Sequence, residues 1–379
     1  MISQKTDARQ TQQAISILLA GDLVLDVPDA DHWLSGIAPA VRAADIAIGH
    51  LEVPHTTRGT EMQGDVPAPG APPGNLDAIA RAGFDALTLA GNHIADCGAE
   101  GIADTIARLQ SLGVAYAGAG SDIEAARRPM FLDCRGRCIA VLSYNCVGPE
   151  SAWATTDRAG CNYLRVLTAD GTPISPAAPL RDLAPEVPSR LQTDIDMARA
   201  AADLVIVAFH KGIVHTPARL AAYERPLAEA AIDAGADIVV GHHAHIIRGL
   251  ERYGGKPVFH GLGNGCVVTH ALSPAQDHPA RAAWARRRKE LFGFEPDPAY
   301  TLAPFHPQAV NAMLGHVLWH ADGRLEAGIV PVHVEPPGRP VIASPAQAHD
   351  ISAYVQRIGV DAGLPAIRLQ PVADAWMLQ

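Results

Sequence analysis

Five short apolar runs constrain the fold more than any other feature, because each ends in a side chain able to bind a cation or carry a proton. They are ISILLAGD (15–22), ADIAIGHLE (44–52), FDALTLAGNH (84–93), DLVIVAFH (203–210) and ADIVVGHHAH (236–245). Segments of this length, rich in Ile, Val and Leu, suit strands buried on both faces. Between them lie stretches with helical spacing such as NLDAIARAG and GIADTIARLQSLG, the second stopping at Gly113 as a helix does. Alternation of strand and helix predicts βαβ units and a mostly parallel sheet covered by helices. The Asp, Glu, Asn and His residues that follow the strands are the oxygen and nitrogen donors of a borderline-hard divalent metal site.

Composition leaves room for this and excludes several alternatives. A chain of 379 residues, 48% hydrophobic and 18% charged, can bury a large core and is not disordered. Its net charge of −10 is spread along the sequence, so no long-range field draws in nucleic acid or an anionic membrane. An anionic substrate would need a local positive centre, which bound metal would supply. The N-terminal MISQKTDARQTQQ has neither the basic segment nor the long apolar core of a secretory signal. No stretch approaches the ~20 apolar residues of a spanning helix. The expectation is a cytoplasmic protein without membrane contact, its six cysteines reduced; an oligomer stays open.

Elsewhere the pattern is mixed. A helix is expected over roughly 31–43, and MFLDCRGRCIAVLSY (130–144) reads as an antiparallel hairpin. Residues 145–192 and 271–308 look irregular, as binding loops or lids do. The second carries a short basic helix whose Arg286, Arg287, Arg288 and Lys289 are expected on a solvated face. A hairpin is expected over 311–335 and a closing amphipathic helix over 346–363. This divides the chain into an N-terminal extension (1–14), one domain (15–335) and a C-terminal extension with a helix (336–379).

In order and placement, GD (21–22), ADIAIGHLE, GFDALTLAGNHIADCG (83–98), AFHKG (208–212), DAGADIVVGHHAHIIRGLE (233–251) and GLGN (261–264) resemble the capsule-synthesis, CapA-type branch of the calcineurin-like metallophosphoesterase superfamily. The resemblance implies an α/β fold, a four-layer α/β/β/α sandwich with mixed sheets, and one or two divalent ions (Mn, Zn or Fe) at the strand ends. It assigns Asp22 and His245 to a first metal, Glu52 to a bridging position, and Asn92, His210 and His243 to a second metal. His93 matches a histidine that steadies or protonates the leaving group, and His242 is a further candidate catalytic or substrate-contacting group. Asp96 would either orient His93 or cap the next helix. Lys211, Trp153 and Arg158 are the candidates for substrate binding.

The implied chemistry is self-consistent, since a carboxylate offers two oxygens to two cations and two ions can share an attacking hydroxide. There are departures from the superfamily pattern. Many members open with Asp-x-His, whereas Asp22 is followed by Leu23 and Val24, leaving the first metal fewer protein ligands. Lys211 replaces a tryptophan usual in the capsule branch. The expected function is a hydrolase that uses metal-bound hydroxide on a phosphoester or a carboxyl-derived bond of a small molecule or short polymer. The alternative is an accessory, non-catalytic component of capsule or poly-γ-glutamate synthesis.

Overall fold

A computed structural model describes residues 14–62, 68–174, 178–273 and 276–379. The extension expected over 1–14 thus falls, but for Ala14, outside the described residues. The first four strands are β1 (Ile15–Leu25), β2 (Ile46–Leu51), β3 (Ala86–Thr88) and β4 (Ala115–Ala117). Six follow: β5 (Met130–Cys134), β6 (Arg137–Asn145), β7 (Leu204–His210), β8 (Ile238–His242), β9 (Leu250–Tyr253) and β10 (Lys256–Phe259). The C-terminal third adds β11 (Asn264–Val268), β12 (Asn311–Trp319), β13 (Leu325–Glu335), β14 (Arg339–Ile342), β15 (Leu369–Val372) and β16 (Ala375–Leu378).

These strands form two mixed sheets. The first has the order β15-β16-β13-β12-β1-β2-β3-β4, with β11 joined to β1 and β14 to β13; the second runs β9-β10-β8-β7-β6-β5. Strands β1 to β4 are mutually parallel, as are β6, β7, β8 and β10, while the hairpins β5-β6 and β12-β13 are antiparallel as predicted. At the β5-β6 turn Arg135 and Gly136 both take positive φ, which matches the twist of a two-residue hairpin.

Alternation along the strands builds the layers. Ile15, Ile17 and Leu19 of β1, Ile46 and Ile48 of β2, Ile206 and Ala208 of β7, and Ile238 and Val240 of β8 pack between the sheets. Their neighbours turn outward: Leu18, Ala20 and Ala47 to one helical layer, Val205, Val207 and Phe209 to the other. The first outer layer includes α1 (Asn75–Ala82) and α2 (Gly98–Leu112); the second is α3 (Val187–Arg199) and α4 (Glu224–Asp233). The result is the four-layer α/β/β/α sandwich that the resemblance implied. A third group, α5 (Pro279–Arg286) and α6 (Arg288–Phe292), lies in the 271–308 segment, and α7 (Pro345–Asp361) packs with Ile351, Val355 and Ile358 on the inter-sheet core. Residues beyond 338 also supply β14, β15 and β16 to the first sheet.

Two local expectations need correction. The helix expected over 31–43 is two short helices, Ala30–Leu34 and Ala38–Ala43. Gly36 lies between them, where a Cβ would come 2.3 Å from the Pro340 carbonyl oxygen, so β14 presses on the break. Helix α3 begins inside the segment read as irregular. Its buried apolar residues, Val187, Leu191, Ile195 and Ala198, make a narrow stripe, and the polar positions between them, buried Asp194 included, hide the period.

Candidate metal centre

The site forms where the C-terminal ends of β1 and β2 meet those of β7 and β8. Asp22 lies at a break in β1: its register with β2 shifts between Leu19 and Asp22, and that with β11 between Asp22 and Leu23. Such irregularities re-aim a side chain out of the pleat. Only glycine fits at position 21, since a Cβ there would sit 1.9 Å from the Gly263 carbonyl oxygen. Glu52 is the first residue after β2, and Asn92 and His93 lie in the turn after β3. His210 ends β7 in register with His242 at the end of β8. The chain then turns left-handed at His243 (φ 89°) and His245 (φ 51°). For a residue with a Cβ this conformation costs ~1–2 kcal/mol, and such strain collects at functional sites.

The donor atoms converge. His210 Nε2 is 2.7 Å from Asn92 Oδ1, 3.0 Å from His243 Nδ1 and 3.8 Å from Glu52 Oε1. On the other side of Glu52, His245 Nε2 is 3.4 Å from Oε1, and His245 Nδ1 is 3.6 Å from Asp22 Oδ2. Within each of the trios Asp22–Glu52–His245 and Glu52–His210–His243, one ligand atom per residue lies within 4.8 Å of the others. Glu52 belongs to both, as a bridging carboxylate must. His245 Nδ1 also approaches Asn264 Oδ1 at 3.0 Å, which orients the ring.

Electrostatics sharpen the case. Glu52 is 1% exposed and neither carboxylate oxygen has a hydrogen-bond partner. A buried charge left so is costly unless a cation joins it. Burial, then the Glu52 carboxylate, pushes Asp22 up to about 8. Burial also penalises Glu52, but His245 and, more weakly, His93 and His50 bring it down to about 2. His245 is opposed by burial yet raised to about 9 by Glu52 and Asp22. Burial and then His245 lower His243 to about 3, and burial followed by His243 holds His210 well below the usual histidine range. Neutral His210 and His243 have a lone pair to donate, and the raised Asp22 records a shortage of positive charge beside Glu52 that a divalent ion would meet.

His93 lines the cleft above this cluster, and its Nδ1 is 2.7 Å from Asp96 Oδ2, so Asp96 orients it rather than capping α2. His242 lies beneath the cluster. Its Nε2 is 3.3 Å from the Ala20 carbonyl oxygen, its ring stacks on His50 at 4.5 Å, and it borders a small internal cavity between the sheets. The three residues expected to bind substrate are not on the cleft wall. Lys211 is 1% exposed and donates to Glu224 Oε2 at 2.9 Å; Trp153 packs in the helical layer, stacked on Tyr163 at 4.2 Å; Arg158 donates to the Trp153 carbonyl at 2.9 Å. A side chain's position after a strand does not say on which side of the loop it falls.

Other residues escaped the sequence reading. His50 is sandwiched between His210 and His242, its Nδ1 2.9 Å from Thr88 Oγ1 and its Nε2 without a partner, and it forms a further donor group with Asp22 and His210. Its place two residues before Glu52 was a signal. The cleft, with an empty volume of about 820 Å³, is also walled by Asp26, His215, Trp284, Arg288, Phe292 and Phe305. Arg288 is buried, which corrects the expectation of a solvated basic face at that position.

The α/β/β/α sandwich thus gathers two carboxylates, an amide and several imidazoles at its opposed strand ends. The chain belongs to the family described as bacterial capsule synthesis protein PGA_cap, which matches residues 4–267. It is 25% identical over 269 residues to capsule biosynthesis protein CapA of Bacillus anthracis, covering 69% of this chain and 61% of that one. It is 31% identical over 243 residues to a probable polyglutamine synthesis accessory protein of Mycobacterium tuberculosis, covering 61% and 59%. The match thus spans about 60% of the length of these relatives. Among solved structures, a hypothetical protein from Thermus thermophilus is similar at TM-score 0.47 and 16% identity, covering 85% of this chain and 100% of that chain. Calcineurin-like phosphoesterase YfkN of Bacillus subtilis is similar at TM-score 0.39 and 13% identity, covering 92% and 98%. Among the described residues no helix is long and apolar enough to cross a membrane.

Proposed function

We propose that the protein is a metal-dependent hydrolase acting on a phosphoester or a carboxyl-derived bond of a small molecule or the end of a short polymer. The observation that carries this reading is Glu52, a buried carboxylate with neither oxygen hydrogen-bonded, shared by two trios of donors. Asp22, Glu52 and His245 would hold one ion, and Glu52, Asn92, His210 and His243 the other; oxygen and imidazole donors suit Mn, Zn or Fe. Bound there, such ions would supply Lewis-acid polarisation of the substrate and activation of water near neutral pH. With Nδ1 engaged by Asp96, His93 would pass a proton to the leaving group through Nε2. The apolar wall excludes water and orients the substrate.

The test is elemental analysis of the purified protein together with turnover on a panel of phosphoesters, esters and amides. Wild type should carry at least one transition-metal ion per chain and lose turnover with it in chelator; His243→Ala should lose both. Metal-free protein with unchanged turnover would refute the reading. The names of the Bacillus anthracis and Mycobacterium tuberculosis relatives, a capsule biosynthesis protein and a probable polyglutamine synthesis accessory protein, favour a second one, an accessory, non-catalytic role in capsule or poly-γ-glutamate synthesis. Full metal loading without turnover on any substrate of the panel would support it.

A further inference from the structure

The short helices α5 and α6 bring one cation to a place where a surface residue does not belong. Arg288 is 2% exposed, and none of its three guanidinium nitrogens has a hydrogen-bond partner. Its neighbours behave as a solvated face should: Arg286 is exposed, Arg287 pairs with Glu290, and Lys289 pairs with Glu295. Arg288 instead turns into the cleft that also holds Glu52, Asn92, His93, His243 and His245. Among the described residues no carboxylate lies within ion-pair distance of it. Rings partly compensate, since its guanidinium carbon is 5.6 Å from the centroids of Trp284 and Phe305 and 5.7 Å from that of Phe294. Such contacts are worth ~0.5–2 kcal/mol, against several for desolvating an unpaired ion. Burial lowers the guanidinium to about 10, so it is still charged at neutral pH.

The same rings connect Arg288 to the metal cluster. Phe305 touches both, its centroid 4.9 Å from that of the His245 ring. His215, held at φ 57°, packs edge-on against Phe292 at 4.8 Å and lies 6.0 Å from His245. Val24, Val53, Val267 and Leu272 add apolar wall. The cleft therefore has the donor cluster at one end, a dry lining, and an unanswered positive charge in a guanidinium fork, which matches the two oxygens of a carboxylate or phosphate.

We propose that Arg288 anchors a second oxyanion of the ligand, a carboxylate or phosphate on an apolar body, set apart from the bond presented to the metal cluster. The proposal rests on the hydrolase reading only in taking that ligand to be the substrate; the anion site needs no metal. It is tested on full-length, metal-free protein by calorimetric titration with phenylphosphonate, 3-phenylpropionate and the neutral 3-phenylpropanamide, using wild type, Arg288→Lys and Arg288→Met. Wild type is expected to bind at least one anion about tenfold or more tighter than the amide, and the anion preferred separates phosphate from carboxylate. Arg288→Met should lose that preference, and Arg288→Lys should keep part of it. Arg288→Met should also melt higher than wild type, because it removes a buried unpaired charge; a merely structural arginine would give the opposite shift. Anion binding equal in wild type and Arg288→Met, no anion binding by wild type, or a lower melting temperature in Arg288→Met would each overturn the proposal. Failure of the hydrolase reading is seen separately, in the metal content of wild type and in its turnover before and after chelator, neither of which enters the metal-free anion titrations.

Discussion

Replacing Lys211 by Met separates the two roles this lysine has been given. Position 211 comes directly after a predicted ligand and so reads as a pocket residue, but its ammonium group lies 2.9 Å from Glu224 Oε2 with both side chains buried. Removing one partner of a buried pair costs ~3–5 kcal/mol, mostly from the charge left behind. Glu224 keeps other support, the Ala221 amide at 2.7 Å and the Arg248 guanidinium at 3.8 Å, so the lower end, ~3 kcal/mol, is expected. The loss depends on pH with a definite sign. Burial opposes the Glu224 charge, but Lys211 first and then Arg248 hold its folded pKa below the ordinary 4.5, so wild type has this stabilisation above that value and loses it as pH falls through the folded pKa. In Lys211→Met the carboxyl titrates higher, and protonation relieves it. The stability difference between the proteins should therefore be largest near pH 7–8 and shrink toward pH 5. Urea unfolding at several pH values measures it, with Lys211→Met/Glu224→Gln as the closing corner of a cycle. That double variant should lose less than the sum of the singles by at least ~1 kcal/mol. A loss under ~1 kcal/mol for Lys211→Met, or unaltered stability with weakened ligand binding, would refute the structural assignment.

Asn264→Ala releases the His245 Nδ1 contact and should weaken metal affinity by ~10-fold or more in competition with a fluorescent chelator; equal affinity would show that the contact orients nothing. On the proposed proton-donor role of His93, Asp96→Asn should lower kcat by ~10–100-fold with KM and metal content unchanged; a change in KM alone would contradict it. Gly21→Ala must displace the Gly263 carbonyl and should destabilise by several kcal/mol, read as a lower melting temperature and lost metal, whereas a wild-type melt would mean β1 and β11 can separate. Of the six cysteines, half-buried Cys138 should react with a disulfide reagent in native protein while Cys146 and Cys161, fully buried and with thiols pushed up by burial, stay silent until unfolding.

The residues that converge in the donor cluster were legible because they end strands, and strands announce themselves. The run ADIVV tells that β8 is buried, so GHHAH must begin where it emerges; the same logic located Asp22, Glu52, Asn92 and His210. Burial alone does not say which way a side chain points once the strand has ended. His210 and His242 occupy equivalent positions in register, yet one faces the donor cluster and the other a cavity between the sheets. What no periodicity encodes are the left-handed turns at 243 and 245, which set where the His243 and His245 imidazoles fall. The cleft wall was still less visible. Arg288 belongs to a run of four basic residues whose average reading is a wet face, and only the meeting of α6 with Phe305 from another part of the chain buries one of them. Likewise α3 has a stripe too narrow to stand out until β7 and α4 supply the surfaces that cover it.

The absence of the Asp-x-His histidine bears on how many ions the centre keeps, because the structure shows what took its place. Val24 lines the cleft beside Glu52 and His245, so an apolar side chain occupies the position two residues after Asp22. The trio Asp22–Glu52–His245 then offers three protein ligands, while Glu52, Asn92, His210 and His243 offer four. At equal donor type the site with fewer ligands releases its ion first, so wild type should retain one ion after dialysis against a mild chelator and take up a second only in excess metal. Val24→His adds an imidazole on the cleft side and should raise the retained stoichiometry from one to two. His50 supplies the rival account, since it groups with Asp22 and His210 and its Nε2 has no hydrogen-bond partner. Were His50 the replacement ligand, wild type would already retain two ions, His50→Ala would drop to one, and Val24→His would change nothing. The stacking of His50 between His210 and His242, with Nδ1 engaged by Thr88, places it below the cluster and favours the first outcome. Elemental analysis of the three proteins after identical dialysis decides between them.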